Sequence, residues 1–251
     1  MIHIRTAAEM AEIAKAGRIV ALVFEDLNSF IKPGISTLAI DERVEAIIRG
    51  EGAIPSFLNY GNPPFPASSC VSVNDEVVHG IPLASRILEE GDIVSVDVGA
   101  YLNGWHGDSA RTYPVGEVSS EAKALIEHTE ASFWKAFEEA RIGNRIGDIS
   151  HAVEAYAKQF NYGVVRELTG HGVGQDLHED PQIPNYGPKG YGPRLQAGMI
   201  LAVEPMLNLG TARIDILDDE WTIVTKDGKY SAHYEHTIGI TEDGPVILTK
   251  L

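Results

Sequence analysis

Apolar residues recur at helical spacing near the start of the chain, with Met10, Ile13, Ala14, Gly17, Val20, Ala21, Phe24 and Leu27 on one face. Thr6-Ala7-Ala8-Glu9 ahead of them is a capping-box pattern: the hydroxyl serves an orphan backbone N–H and Glu9 reaches back. Lys32-Pro33-Gly34 ends this helix, and a second amphipathic stretch over about 37–49 turns Ile40, Val44, Ile47 and Ile48 inward. The same succession returns after Ser119 and Ser120. Leu125, Ile126, Thr129, Phe133 and Phe137 predict a helix, Gly143 interrupts it, and Ile149, Val153, Tyr156 and Phe160 predict the next.

The recurrence extends to residue identity. At one constant offset Phe24, Gly34, Ile40, Val44, Glu45 and Ala46 fall on Phe133, Gly143, Ile149, Val153, Glu154 and Ala155. At a second, the strand-like "LEEGDIVSVD" (88–97) falls on "LQAGMILAVE" (195–204), matching Leu88 with Leu195, Gly91 with Gly198 and Asp97 with Glu204. This predicts an internal duplication, each half being two helices followed by strands, within one domain over 1–251 whose halves are roughly 1–116 and 117–251. Alternate side chains of a strand share a face, so Ser95, Asp97 and Gly99 point one way, and Ala202, Glu204 and Met206 share a face in the second half. Halves related by a pseudo-twofold bring Asp97 and Glu204 together, and two carboxylates in one place repel unless a cation lies between them.

Composition narrows the setting. With 251 residues, 44% of them hydrophobic, the chain can bury a sizeable core. No apolar run approaches a membrane span, and charge breaks the opening segment too often for a signal peptide. A single cysteine, Cys70, excludes an internal disulfide and fits a reducing cytoplasm. A formal net charge of −16 argues against general binding of nucleic acid or anionic membranes.

Further candidates for chemistry lie in four segments. Asp108 follows the glycine turn after Asp97; "ELTGHGVGQDLHEDP" (167–181) holds His171 and His178 among glycines; "HYEHTIGIT" (233–241) reads as a strand with His233, Glu235 and Thr237 on one face; and His79 precedes a Gly-Ile-Pro turn. Each has an ordinary reading when taken singly. Asp97 could be a hydrogen-bonded structural acid, Asp108 an Asx-turn residue, His171 a loop histidine, Glu204 a surface acid, and Glu235 a partner of Arg111 or Lys229. Together, four carboxylates and a histidine beside apolar strands or glycine loops point to metal. Oxygen-rich ligation with one imidazole suits Mn, Fe, Co or Zn, and two ions balance the charge better than one. The chain has no G-x-S-x-G elbow, Walker loop or H-E-x-x-H helix.

Over nearly its whole length the sequence resembles type I methionine aminopeptidase. The segments that carry the resemblance are "FPASSCVSVNDEVVHGIP", "DVGAYLNGWHGDSART", "TGHGVGQDLHEDPQIPNYG", "LAVEPM" and "YEHT". The resemblance implies a pita-bread fold, an α+β arrangement of two pseudo-symmetric halves with a curved, mostly antiparallel sheet backed by helices. It implies removal of N-terminal methionine from nascent polypeptides when the second residue is small, by a metal-bridging hydroxide. Asp97 and Asp108 would bind one of two divalent ions (Co, Mn, Fe or Zn) and His171 and Glu204 the other, with Asp108 and Glu235 bridging. Glu204 would also accept the water's proton. His178 would hydrogen-bond the carbonyl as it becomes an oxyanion, and His79 would contact the scissile amide. A cytoplasmic monomer with transient ribosome association follows from the same resemblance.

The pocket departs from the family pattern. Asn59, Asn62 and Phe65 stand where a cysteine and two tyrosines are usual, Leu177 where phenylalanine is usual, and His233 where glutamine is common; Cys70 and Trp221 are retained. Leu177, smaller than the usual phenylalanine, should leave a roomier entrance, and Asn59 and Asn62 can turn their amides to solvent or backbone partners, so methionine is expected to remain preferred with weaker discrimination against leucine. Two other readings stand beside this one. Peptidases of the aminopeptidase P or prolidase kind share the five ligands but normally carry an additional N-terminal domain. An inert pita-bread protein binding a nascent chain or ribosome would be signalled by lost ligands, whereas all five are present.

Overall fold

The computed structural model describes residues 1–251. The first half runs α1 (Ala7–Phe30), α2 (Thr37–Gly50), β1 (Ile54–Pro55), β2 (Ser69–Val73), β3 (Glu76–Val78), β4 (Ile93–Leu102) and β5 (Trp105–Pro114). The second runs α3 (Ser120–Glu139), α4 (Ile146–Lys158), β6 (Gly163–Val164), β7 (Thr169–Gly172), β8 (Glu179–Pro184), β9 (Ile200–Val203), β10 (Met206–Asn208), β11 (Ile214–Ile216), β12 (Ile223–Thr225), β13 (Ser231–His233), β14 (His236–Thr241) and β15 (Gly244–Ile247). Every strand pairing is antiparallel. The fold is α+β.

The helices begin where the pattern predicts. Thr6 caps α1 by a reciprocal exchange with Glu9, and Ser36 and Ser119 cap α2 and α3 through their hydroxyls. Phe160, read as the last inward position of the fourth helix, instead lies beyond α4 in a turn and is 39% exposed. In the first half Val20, Phe24 and Leu27 of α1 and Ile40, Val44 and Ile48 of α2 pack on Val94, Val96 and Val98 of β4. In the second, Phe133 of α3 and Ile149 and Val153 of α4 pack on Leu201, Val203, Ile238 and Ile240. Each such side chain contributes about 1.5–3 kcal/mol on burial. All this apolar surface covers the backs of the strands and leaves their other faces free for polar residues.

The two halves make their turns alike. Gly34 and Gly143 take positive φ of 91° and 98°, and Gly91 and Gly198 take 94° and 90°. Leu88 N donates to Ile35 O at 2.8 Å, and Leu195 N donates to Asn144 O at 2.9 Å. Isolated bridges join Ser36 to Ile87 and Arg145 to Arg194. All of these pairs correspond at the two offsets found in the sequence, and we propose duplication of one ancestral unit as their origin.

The halves meet where β5 runs beside the start of β14. Glu235 N donates to Ala110 O at 2.9 Å, Thr237 Oγ1 donates to Asp108 O at 2.7 Å, and Thr112 Oγ1 donates to His233 O at 2.8 Å. Threonine hydroxyls thus take the place of ladder bonds. The stretch read as one strand over 233–241 is broken at Tyr234 and Glu235, because Glu235 turns its backbone to Ala110. "LAVEPM" is broken likewise, since Pro205 has no N–H to donate and Glu204 lies between β9 and β10.

β5 is seated on α1 by glycine against glycine. A Cβ on Gly107 would lie 2.5 Å from Gly17 N, and one on Gly17 would lie 2.4 Å from Leu248 O. Gly107→Ala and Gly17→Ala should therefore each lower stability by about 1–3 kcal/mol, read as a lower urea midpoint. Gly50→Ala, with nothing within 4 Å, should leave the midpoint unchanged or raise it. Equal midpoints for all three would show that the close contact carries no constraint.

Candidate metal centre

The five side chains predicted as ligands converge from separate stretches of chain. Asp97 pairs with Ala110 and Asp108 with Gly99, so the two acids lie diagonally on one face of the β4–β5 ladder. Asp108 lies within β5 rather than in a turn before it. His171 sits in β7, opposite Ala202 of β9, rather than in a flexible loop. Its flanking glycines serve close packing: a Cβ on Gly170 would stand 2.4 Å from Ala202 O, and one on Gly172 would stand 2.2 Å from Asp180 O. Val203 pairs with His236, so Glu204 and Glu235 face each other one step beyond the end of that ladder.

One donor atom each from Asp108, His171 and Glu235 lies within 4.8 Å of the others. His171 Nε2 is 3.7 Å from Asp108 Oδ2 and 3.6 Å from Glu204 Oε1. His171 Nδ1 donates to Gly172 O at 2.8 Å, which leaves Nε2 as the bare nitrogen of a neutral ring. A lone pair and several carboxylate oxygens therefore point at one another. Asp97 Oδ1, Asp108 Oδ1 and Glu235 Oε1 are buried without any partner. Glu235 forms no ion pair with Arg111 or Lys229. Three orphaned carboxylate oxygens, the Glu204 carboxylate beside His171 and one bare imidazole nitrogen fit a divalent cation.

Electrostatics agree with that fit. Burial, reinforced by the charge of Asp108, holds the carboxyls of Asp97, Glu204 and Glu235 above the usual range. Burial pushes Asp108 up to about 7 and His171 down to about 3. His233 belongs to the same cluster. Its Nε2 lacks a partner and lies 3.7 Å from Glu204 Oε2 and 3.9 Å from Glu235 Oε2.

A cavity of about 220 Å³ opens on this cluster. Its apolar wall is Phe57, Tyr60, Phe65, Cys70, Leu177 and Trp221, with His79 and His178 at the seam between wall and acids. Phe65, Cys70, Leu177 and Trp221 stand where the sequence puts them. Asn59 and Asn62 do not: both are exposed and outside the wall. The chain there folds back on itself, Asn59 N donating to Phe65 O at 2.9 Å and Phe65 N to Tyr60 O at 2.7 Å. Asn59 and Gly61 take φ of 65° and 80°. This turn sends the amides to solvent, buries Phe57 and sets the ring of Tyr60, 39% exposed, against His178 at the cavity. These two were missed, although three aromatic residues at 57, 60 and 65 in a polar, Gly- and Pro-rich stretch were the available signal.

His79 holds a left-handed backbone, φ 58°, and its ring meets Trp221 edge-on at 5.9 Å. Burial pushes its imidazole down to about 4 and lowers that of His178. His178 Nδ1 and the Tyr60 hydroxyl are 2.6 Å apart. A polar trough of about 480 Å³ continues outward from His171 and His178 past Asp176, Glu179 and Asp180.

Residues 11–242 match the model of metallopeptidase family M24. The chain is 56% identical to methionine aminopeptidase 1 of Bacillus subtilis over 251 residues, covering 100% of both. It is 50% identical to a methionine aminopeptidase of Clostridium acetobutylicum, covering 99% of each. The crystal structure of methionine aminopeptidase from Thermotoga maritima superimposes with a TM-score of 0.97 at 45% identity, over 100% of both chains. The prolidase of Pyrococcus furiosus superimposes at 0.80 with 25% identity, over 99% of this chain and 65% of that one. The fold is thus the pita-bread fold of these proteins.

Cation binding must displace protons from this cluster. An acid raised to about 7 is largely protonated at pH 6 and ionised at pH 8, whereas a histidine lowered to about 3 has no proton to release at either pH. Apparent affinity for Mn²⁺ should therefore rise with pH through about 7. In titration calorimetry at pH 6, the heat should depend on the ionisation enthalpy of the buffer. Buffer-independent heats at pH 6 would mean the carboxylates are already ionised.

Proposed function

The chain belongs to metallopeptidase family M24 as a metal-dependent aminopeptidase acting on N-terminal methionine, and we propose that it selects polypeptides whose second residue is small. One observation carries this reading: the acidic cluster and the apolar wall share a single cavity, with His79 and His178 where they meet. The wall of Phe57, Tyr60, Phe65, Cys70, Leu177 and Trp221 takes the unbranched methionine side chain. The scissile bond then lies at the seam, and the rest of the peptide leaves along the polar trough.

Asp97, Asp108, His171, Glu204 and Glu235 would hold two divalent ions, of the Mn, Fe, Co or Zn class. When bound, such ions supply a nucleophile from water near neutral pH and polarise the carbonyl. The residues of the chain do the rest. Glu204, whose carboxyl burial already disposes to take a proton, accepts the one released at the attacking oxygen and returns it to the leaving amine. His178, kept neutral by burial, donates from Nε2 to the carbonyl oxygen as charge develops there. His79, held by its left-handed backbone against Trp221, contacts the scissile amide. The crowded carboxylates receive the free α-amine, which confines hydrolysis to the first residue.

No helix is long and apolar enough to cross a membrane. We place the activity in the cytoplasm, in a monomer that meets nascent chains during transient ribosome association.

Leu177 lines the wall where a larger phenylalanine is usual, so discrimination against leucine should be weaker than is typical, toward the lower end of the range an apolar slot sustains. Reconstituted with Mn²⁺ or Co²⁺, the protein should cleave Met-Ala and Met-Gly peptides about 10- to 200-fold better than Leu-Ala and leave Ala-Pro intact. Cleavage of Ala-Pro without Met-Ala would instead support a prolidase-like activity. His178→Ala should lower kcat by about 10²–10³ with metal affinity nearly unchanged, the loss typical of one oxyanion donor. Asp108→Asn should lose metal affinity and turnover together, which calorimetry and kinetics on the same preparations would check.

A further inference from the structure

We propose that Tyr60 is a positioning residue that sets the tautomer of His178, tying the methionine pocket to the hydrogen bond on the scissile carbonyl; this rests on the reading of the site given above. The Tyr60 hydroxyl and His178 Nδ1 lie 2.6 Å apart, with ring centroids 5.1 Å from each other. Nδ1 is the only ring nitrogen of His178 that has a protein partner. Tyr60 carries the only hydroxyl among the residues lining the cavity.

Two proton arrangements are open to such a pair. When the phenol donates, Nδ1 accepts, and the single ring proton of a neutral imidazole sits on Nε2. When Nδ1 donates to the phenol oxygen, Nε2 presents a lone pair. Only the first arrangement serves an oxygen that is gaining negative charge, since the second sets two acceptors face to face. The phenol is the more acidic of the two possible donors, which favours donation from oxygen.

The turn fixes the backbone of Tyr60. Its N–H donates to Phe57 O at 2.9 Å and its carbonyl accepts from Phe65 N at 2.7 Å. A Cβ on Gly61 would stand 2.6 Å from Trp221 Cη2, so the backbone after Tyr60 is pressed onto the indole of the pocket wall. A side chain filling the pocket therefore rests against the same ring that orients His178. Binding in the wall and hydrogen bonding at the carbonyl share one residue.

Nitrogen-15 NMR of histidine-labelled, zinc-loaded protein reads the tautomer without turnover. In the native protein His178 should show a protonated Nε2 and an accepting Nδ1; Tyr60→Phe should shift both resonances toward a mixture. On a Met-Ala peptide, Tyr60→Phe should lower kcat about ten-fold with KM unchanged, as for one lost hydrogen bond to a retained ring. In a His178→Ala background the same substitution should cost nothing. Unchanged resonances in Tyr60→Phe, or an equal loss in the His178→Ala background, would overturn the proposal. A native protein that leaves Met-Ala uncut would overturn the proposed activity instead, with the tautomer reading still standing on its own spectrum.

Discussion

Taking a carboxylate out of water costs several kcal/mol even after the surroundings relax, and this fold gathers four of them around the imidazoles of His171 and His233. No lysine or arginine side chain forms an ion pair with any of them. The rest of the molecule can be understood as what makes that arrangement tolerable. Valines and leucines on the backs of β4 and β9 anchor the strands from behind, so the acids cannot retreat to solvent without unpacking a core. The carboxyls are raised because burial leaves their charge uncompensated by any lysine or arginine, and a bound cation would supply that compensation.

The second demand is that a polar cluster and an apolar slot share one cavity without mixing. The separation is made by backbone. The 57–65 turn closes on itself through main-chain hydrogen bonds, presents aromatic rings to one side and leaves its amides in water. His79 and His178 occupy the boundary, each neutralised by burial, so they can hydrogen-bond a peptide without adding charge to an already crowded centre.

Much of this was legible in the chain. Helix starts were written in Thr6 and Ser119, and the corresponding turns in Gly34 and Gly143. The pairing of Asp97 with Glu204 across the two halves followed from matching segments alone. Where reading failed, the cause was local backbone that periodicity cannot see. Pro205 and the turn of Glu235 toward Ala110 broke two apparent strands, and His171 proved to lie in a strand because its glycines permit close packing. The family resemblance points to Asn59 and Asn62 as pocket positions, but the segment doubles back there and presents Phe57 and Tyr60 to the cavity instead. The hydrogen bond from Tyr60 to His178 joins residues 118 apart in sequence and left no trace in spacing.

The junction between the halves also bears on how the chain folds. Asp108 meets Thr237 across 129 positions of sequence, and the hydroxyl bonds there form only once both helix-backed units exist. Contacts of such long range cost more loop-closure entropy than local ones. The first half supplies Asp97 and Asp108 and the second His171, Glu204 and Glu235, so neither half alone carries the full set of donors and the site depends on their docking.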